Sequence, residues 1–302
     1  LPLTPPMPLP AAPQQADSLT LAQLSRDTLK PASAYARAQQ IANTAAQTPL
    51  AKREALVLDS LAKHQAEQHI IDALEQNHPD PAAQLARLPL YPGGISGQIQ
   101  LEQSLATYRA RAQTLLAHAR LAHWPTLAEQ TLDLGDHNTL TAYLPSGGDI
   151  WPRLSASKAK PKHQYRYWLE HLAWSASGNG GTTLIHYADD NRHRFQPLPA
   201  SEAIAQLRQW LALREQAQQT LWLAPIELMQ PYSDNLTSGN GDKNSALIRD
   251  WLNDDWQKAD DGDLWRHLWR GHEEESLAAH IAAMLALHAT HIQPLLQAMQ
   301  KG

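Results

Sequence analysis

At 302 residues, 43% of them hydrophobic and 18% charged, the chain is long enough for one large folded core with helical additions. A net charge of −5 argues against a self-sufficient DNA-coating protein, whose affinity comes from neutralising phosphates, so any nucleic-acid contact must be local or depend on partners. The absence of cysteine excludes disulfides and thiolate metal sites and fits a reducing cytoplasm, and no run approaches the ~18 apolar residues of a membrane span.

Leu1 rather than Met opens the sequence, as expected of a piece excised from a longer polypeptide, and no basic-then-apolar leader follows it. Six prolines between Pro2 and Pro13 make residues 1–16 an extended linker. Residues 17–125 read as a helical part: Thr20–Arg26, Ala32–Ala46, Leu50–Leu74, and a helix striped by Leu101, Leu105, Tyr108, Ala112 and Leu115. Residues 126–232 read as an α/β core. Thr131–Leu134 and Thr139–Leu144 flank a Gly135-Asp136-His137-Asn138 turn, and Ile150–Ser155 is a third strand. A helix over His163–Ala176 precedes a hairpin of Thr183–Tyr187 with His193–Gln196, then a helix over Ser201–Arg214 and a short strand at Leu221–Leu223. Residues 233–302 form a tail: a polar loop at Ser233–Asn244, then helical pieces carrying Trp251, Trp256, Trp265 and Trp269, with a kink or stop before Pro294.

Helix, three strands, helix and strand resembles the layout of the restriction-endonuclease-like (PD-(D/E)XK-type) α/β core. His171-Leu172-Ala173-Trp174-Ser175-Ala176-Ser177-Gly178 running into a Gly-rich turn is one local likeness. Others are Asp263-Leu264-Trp265-Arg266-His267-Leu268-Trp269-Arg270, Glu54–Leu61, and Leu88-Pro89 leading to Gly94. Taken in order, these resemble the carboxy-terminal region of the RecC family, the gamma chain of exodeoxyribonuclease V. The likeness spans most of residues 18–300. At Ser18–Ala38 the chain departs from the family's aromatic, basic entry helix and has Tyr35 alone.

The nuclease layout implies an acid ending the second core strand and an acid-x-Lys triplet on the third, which together hold Mg²⁺. Here the second strand ends Tyr143-Leu144-Pro145, and Ala156 stands two residues before Lys158. The helix carries Gln164-x-x-x-Trp168 in place of Gln-x-x-x-Tyr. The expectation is therefore a domain with no catalytic residue, no metal and no cofactor. The resemblance implies that it splits and channels duplex DNA and scaffolds RecB and RecD in a cytoplasmic helicase–nuclease. The competing readings are an Mg-dependent nuclease using Asp133, Asp136 or Asp149, and a protein-interaction module without DNA contact.

Other candidate chemistry is weaker. Ser177–Thr182 is glycine-rich but lacks the Gly-Lys-Ser/Thr ending of a phosphate loop, so a helix stop is expected. His272, His280, His288 and His291 form no zinc pattern, and Asp260, Asp261 and Asp263 lack the closing Glu of a calcium loop. No acid lies between Asp149 and Glu170, whereas Arg153, Lys158, Lys160, Lys162 and Arg166 do, interleaved with Tyr165, Tyr167 and Trp168. That strip suits phosphate contact, with aromatics for stacking on unpaired bases or, alternatively, for the core. Trp265 and Trp269, spaced i, i+4 and flanked by Arg266 and Arg270, are either core or a partner surface.

Overall fold

The computed structural model describes residues 19–40, 58–88, 90–220, 226–255 and 273–301. The first helices begin where the chemistry of helix starts demands. Thr20 and Gln23 form a reciprocal capping box at α1 (Leu21–Leu29), and Pro31 opens α2 (Pro31–Ala38). Asp59 caps α3 (Ser60–Glu75) through Ala62 N–H at 2.7 Å, and Asp80 caps α4 (Pro81–Leu85). The expected stripe of Leu101, Leu105, Tyr108, Ala112 and Leu115 is buried along one face of α5 (Gly94–Ala119).

Two small sheets follow. Strands β2 (Leu127–Gly135) and β3 (Asn138–Pro145) pair antiparallel through a turn whose residues Gly135, Asp136 and His137 all have positive φ. The short β1 (Leu19–Thr20) adds in parallel to β3. In the second sheet, β4 (Ile150–Leu154) and β5 (Thr182–His186) run parallel, joined by α6 (Pro161–Trp174). Strand β6 (Arg192–Phe195) returns antiparallel, and β7 (Met299–Lys301) completes the order β4-β5-β6-β7. Among the described residues β3 and β4 do not pair, so the strands form two mixed α/β sheets rather than one continuous nuclease-type sheet.

Period-2 alternation divides the second sheet between two cores. Trp151 and Ile185 face a large cluster with α1, α2, α6 and α7 (Ala200–Gln219), together with α8 (Ile226–Thr237) and α10 (Glu274–Ala298). Leu154 and Leu184 face a smaller cluster with Ile70, Ile71, Leu105 and Tyr108 of α3 and α5. The sheet is thus covered on both faces, which brings α3, β4 and α6 together along one edge.

Two expectations for the tail differ from the structure. Ser233–Thr237 belong to α8 instead of a loop; Ser233 is fully buried, and the Thr237 hydroxyl folds back on its own helix, its Oγ1 donating to the Ser233 carbonyl at 2.7 Å. The loop is confined to the stretch leading into α9 (Asn244–Asp250). Of the kink or stop expected before Pro294, the stop does not occur: helix α10 runs through Pro294 to Ala298, with Leu285 before it and Leu295 after it both buried. The proposed strand at Leu221–Leu223, residues 1–16, and the segment holding Trp256, Asp260, Asp261, Asp263, Trp265, Arg266, Trp269, Arg270 and His272 lie outside the described residues. Among the described residues no helix is long and apolar enough to cross a membrane.

Candidate nucleic-acid interface

Strand β4 delivers Arg153 to the seam between α3 and α6. There its Nη1 lies 3.0 Å from Glu170 Oε2 and its Nε 3.5 Å from Glu75 Oε2. The guanidinium also lies over the rings of Trp151, at 5.0 Å, and Tyr167, at 5.6 Å. The second oxygen of Glu75 accepts from Leu154 N–H at 2.9 Å, and Tyr167 Oη–H donates to the Leu154 carbonyl at 2.8 Å. Burial pushes the Glu75 carboxyl up, opposed by Arg153, while the Glu170 and Glu75 charges outweigh burial and hold Arg153 firmly protonated. Arg153, with its side chain 12% exposed, is therefore an internal cation serving two buried carboxylates. This corrects its expected place on a basic surface: β4 directs it inward, and the nearby acids take it up.

Past β4 the chain leaves the sheet through a tightly tied loop. Ser155 N–H donates to the His186 carbonyl at 2.9 Å, Ala188 N–H to the Ser157 carbonyl at 3.0 Å, and Ala159 N–H to the Asp189 carboxylate at 3.3 Å. Although burial opposes it, hydrogen bonds from Asn191 and Ala159 lower the Asp189 carboxyl pKa. This loop sets out Lys158 and Lys160, both exposed, and Pro161 starts α6 with Lys162 half-buried in its first turn. One turn on, Arg166 is exposed and reaches Glu170 at 3.3 Å. Of the five expected basic residues, Lys158, Lys160 and Arg166 are thus exposed and Lys162 is half-buried, all along the stretch that leads into the first turns of α6.

The aromatics of α6 do not. Tyr165, Tyr167 and Trp168 are buried, with ring partners Trp210 at 6.2 Å, Tyr187 at 5.9 Å and Phe195 at 5.3 Å. The stacking role is corrected in favour of the core, because α6 is enclosed by the sheet, α7 and α8. The same enclosure buries His171, which bonds Thr183 Oγ1 and the Gln196 carbonyl, each at 2.8 Å.

The nuclease positions hold no acid where the layout calls for one. Ala156 is buried, and Leu144 and Pro145 end β3. Of the alternative acids, Asp133 accepts from Gly135 N–H at 2.8 Å beside the hairpin tip that holds Asp136, and Asp149 stands just before β4. Among the described residues no three His, Asp or Glu side chains gather as a metal site. The glycine-rich stretch ends α6: Gly178 has φ +80 at the close of a wide helical turn.

A model of the RecC C-terminal domain matches residues 16–237, a span that runs from β1 to the end of α8 and includes the whole basic surface. The chain belongs to the RecC C-terminal domain family. A curated relative, the RecBCD enzyme subunit RecC of Escherichia coli (strain K12), is 27% identical over 162 residues. The aligned stretch is 52% of this chain and 14% of that subunit, so this RecC-family domain corresponds to a small part of its relative.

Three features of this RecC-family domain escaped the reading of its residues. Glu75 is 79 positions before its hydrogen-bond partner Leu154, and only its place on the buried face of α3, four residues after Ile71, pointed inward. His163, in the first turn of α6, was passed over as one histidine among 15. Burial, and then the charges of Lys162, His64, Arg166 and Lys160, lower its pKa to about 4. His64, half-buried on α3, is the third.

Proposed function

We propose that this chain is the non-catalytic C-terminal domain of a RecC-type subunit of a RecBCD-type helicase–nuclease. In that setting it lines the DNA path with Lys158, Lys160, Lys162 and Arg166, helps split and channel the duplex, and scaffolds RecB- and RecD-type partners. The order helix, hairpin, strand, helix, strand supports a restriction-endonuclease-like ancestry for the core. One observation carries the functional half of this reading. At the seam of α3, β4 and α6 the nearest carboxylates are engaged by Arg153, while Lys158 and Lys160 stand outside on the adjoining loop. A guanidinium between two acids satisfies them without a metal, and the exposed Lys158 and Lys160 are placed to meet phosphates.

The test is binding of a forked duplex to the 302-residue chain, alongside a degradation assay in Mg²⁺ and Mn²⁺. Replacing Lys158, Lys160, Lys162 and Arg166 together by Ala should weaken binding at least tenfold at moderate salt and flatten its salt dependence. Unchanged binding overturns the DNA-path role and favours a pure protein-interaction module. Cutting that disappears in Asp149→Ala, Asp133→Ala or Asp136→Ala overturns the non-catalytic role.

A further inference from the structure

We propose that the outer edge of β2 is a docking site for an extended segment of a partner protein that carries Lys or Arg on one face, taken up as an added strand. Among the described residues β2 pairs with β3 alone, so one long side of its nine residues is a sheet edge. No backbone group of another described element bonds to that side between Leu127 and Asp133. Ala128, Glu129 and Thr131 are exposed, so side chains of both faces reach solvent along this stretch. Leu132 and Leu134 are buried in the larger core and fix the strand to the fold. The open stretch ends where Arg208 of α7 donates to the Leu134 carbonyl.

The other sheet edges are short or closed, as folded proteins usually make them. Strand β4 lacks a donor at Pro152, and both Leu154 backbone groups are met by Glu75 and Tyr167. Strands β1 and β7 are two and three residues long. Strand β2 has neither Pro nor Lys, and its charges select the occupant. No Lys or Arg lies between Arg120 and Arg153, whereas Glu129, Asp133 and Asp136 do. Glu129 and Asp133 share the open face with Thr131 between them, and directly across from Glu129 is Tyr143, 64% exposed. An antiparallel pairing of two copies centred on Thr131 sets Glu129 against Asp133 twice, and like charges directly opposite weaken a sheet. The same acids repel a phosphate backbone. A strand with Lys or Arg at i and i+4 on one face matches both carboxylates, while its backbone supplies the missing hydrogen bonds.

The docking site does not draw on the lysine strip, so a strip variant that binds DNA normally and a failure at this edge are separate results. The probe is a synthetic peptide of about nine residues, with Val on one face and Thr, Lys, Thr, Lys, Thr on the other. Its counterpart has Glu in place of Lys. Hydrogen exchange of the β2 amides and the affinity for each peptide are measured on the 302-residue chain, as wild type and as Glu129→Lys/Thr131→Lys. Both replaced side chains are exposed, and the bond from Gly135 N–H to Asp133 at the hairpin turn is kept. In the free wild type, alternate amides between Leu127 and Asp133 should exchange fast, and the lysine peptide should protect them. The variant should bind the lysine peptide at least about tenfold more weakly than wild type, and the glutamate peptide more tightly. Protection elsewhere, or none, overturns the site. Equal affinity of both proteins for both peptides overturns the basic occupant. Slow exchange along the edge in the free chain overturns it as well: protection that grows with protein concentration gives the edge to a second copy, and protection independent of concentration gives it to the chain itself.

Discussion

Arg153 Nη1 lies 3.0 Å from Glu170 Oε2, and this contact joins the strand that leads into the basic loop to the helix that follows it. The Glu75 carboxylate, at 3.5 Å, extends the link to α3, so one guanidinium ties both cores of the protein across the edge of the sheet. Replacing it leaves two buried carboxylates facing each other. Arg153→Met should cost about 3–5 kcal/mol in urea denaturation, the usual effect of breaking a buried pair from one side. Adding Glu75→Gln and Glu170→Gln to that variant should recover much of the loss, because the uncompensated charges go with the arginine. A triple variant as unstable as Arg153→Met would show that the arginine acts by filling space rather than by neutralising acids.

Another buried acid lies on α1. Asp27 of α1 is 3% exposed and accepts from Arg37 of α2 at 2.6 Å and from Arg214 of α7 at 2.9 Å, with Arg26 at 3.3 Å. Asp27→Asn keeps the shape and removes the charge. It should lower stability by about 2 kcal/mol, a value moderated by the solvent that reaches the arginines. Arg26→Ala, which removes the most exposed partner, should change stability by less than about 0.5 kcal/mol. Equal effects in thermal melts would contradict this ranking.

The pH dependence of stability has a worked sign. Burial lowers His171 to about 4, and the carbonyl of Gln196 needs an N–H from Nε2, which leaves Nδ1 to accept from the Thr183 hydroxyl. The ring is therefore neutral in the folded protein. Its unfolded pKa is near 6.5, so between about 6.5 and 4 only the unfolded chain takes up the proton. The contribution is whole above pH 6.5 and is lost as pH falls towards 4, by about 3 kcal/mol at most. His163 adds to the loss in the same direction. Urea midpoints at pH 7 and pH 5 should differ clearly in the wild type and less in His171→Asn; a difference as large in the variant would place the titration elsewhere.

Local signals were readable where the physics is local. The β2–β3 hairpin followed from alternating apolar residues around Gly135-Asp136-His137-Asn138, the α5 stripe from its helical period, and the stop at Gly178 from turn chemistry. The α6 helix was legible as a helix, but the direction of its aromatics was not. It is packed on nearly every side, so burial erases the one-faced pattern that would have marked Tyr165, Tyr167 and Trp168 as core. Arg153 looked like its lysine neighbours because its partner Glu75 arrives from a distant helix, and no spacing rule reaches that far. The polar run at Ser233–Thr237 misled for a different reason: Ser233 is packed inside the fold, and the Thr237 hydroxyl bonds a carbonyl of its own helix, so neither breaks it.

Gly181 separates a phosphate-binding role for the glycine-rich stretch from a structural one. A Cβ at this position would stand 2.2 Å from the Asp149 carbonyl oxygen, where the Thr182 N–H donates to that oxygen at 2.8 Å to begin the β4–β5 ladder. Backbone cannot step aside as a flexible side chain can. Gly181→Ala should therefore cost about 2–3 kcal/mol, and weaken protection from hydrogen exchange along β4 and β5. Gly178, with φ +80 and open space around it, should lose about 1–2 kcal/mol on substitution by Ala, through its left-handed backbone alone. DNA affinity measured under conditions where both variants are folded should be unchanged. A selective loss of affinity in Gly181→Ala would instead give the stretch a part in holding phosphate.

The charges of the strip should separate by their surroundings. Lys158 and Lys160 stand exposed on the loop, whereas Arg166 shares its charge with Glu170 at 3.3 Å. A lysine that meets a phosphate should, when changed to Ala, reduce the slope of log affinity against log salt by about 1, and do so equally for unrelated DNA sequences. Arg166→Ala should reduce it by less, because part of its charge is already offset within the protein. Glu170→Gln provides the converse: it removes that offset and should raise affinity, while lowering stability through Arg153. Salt titrations of each variant on two unrelated forks check the ranking. An Arg166→Ala slope change larger than that of either lysine would mean that Arg166 leaves Glu170 on binding, and sequence-dependent losses would mean that the strip reads bases rather than backbone.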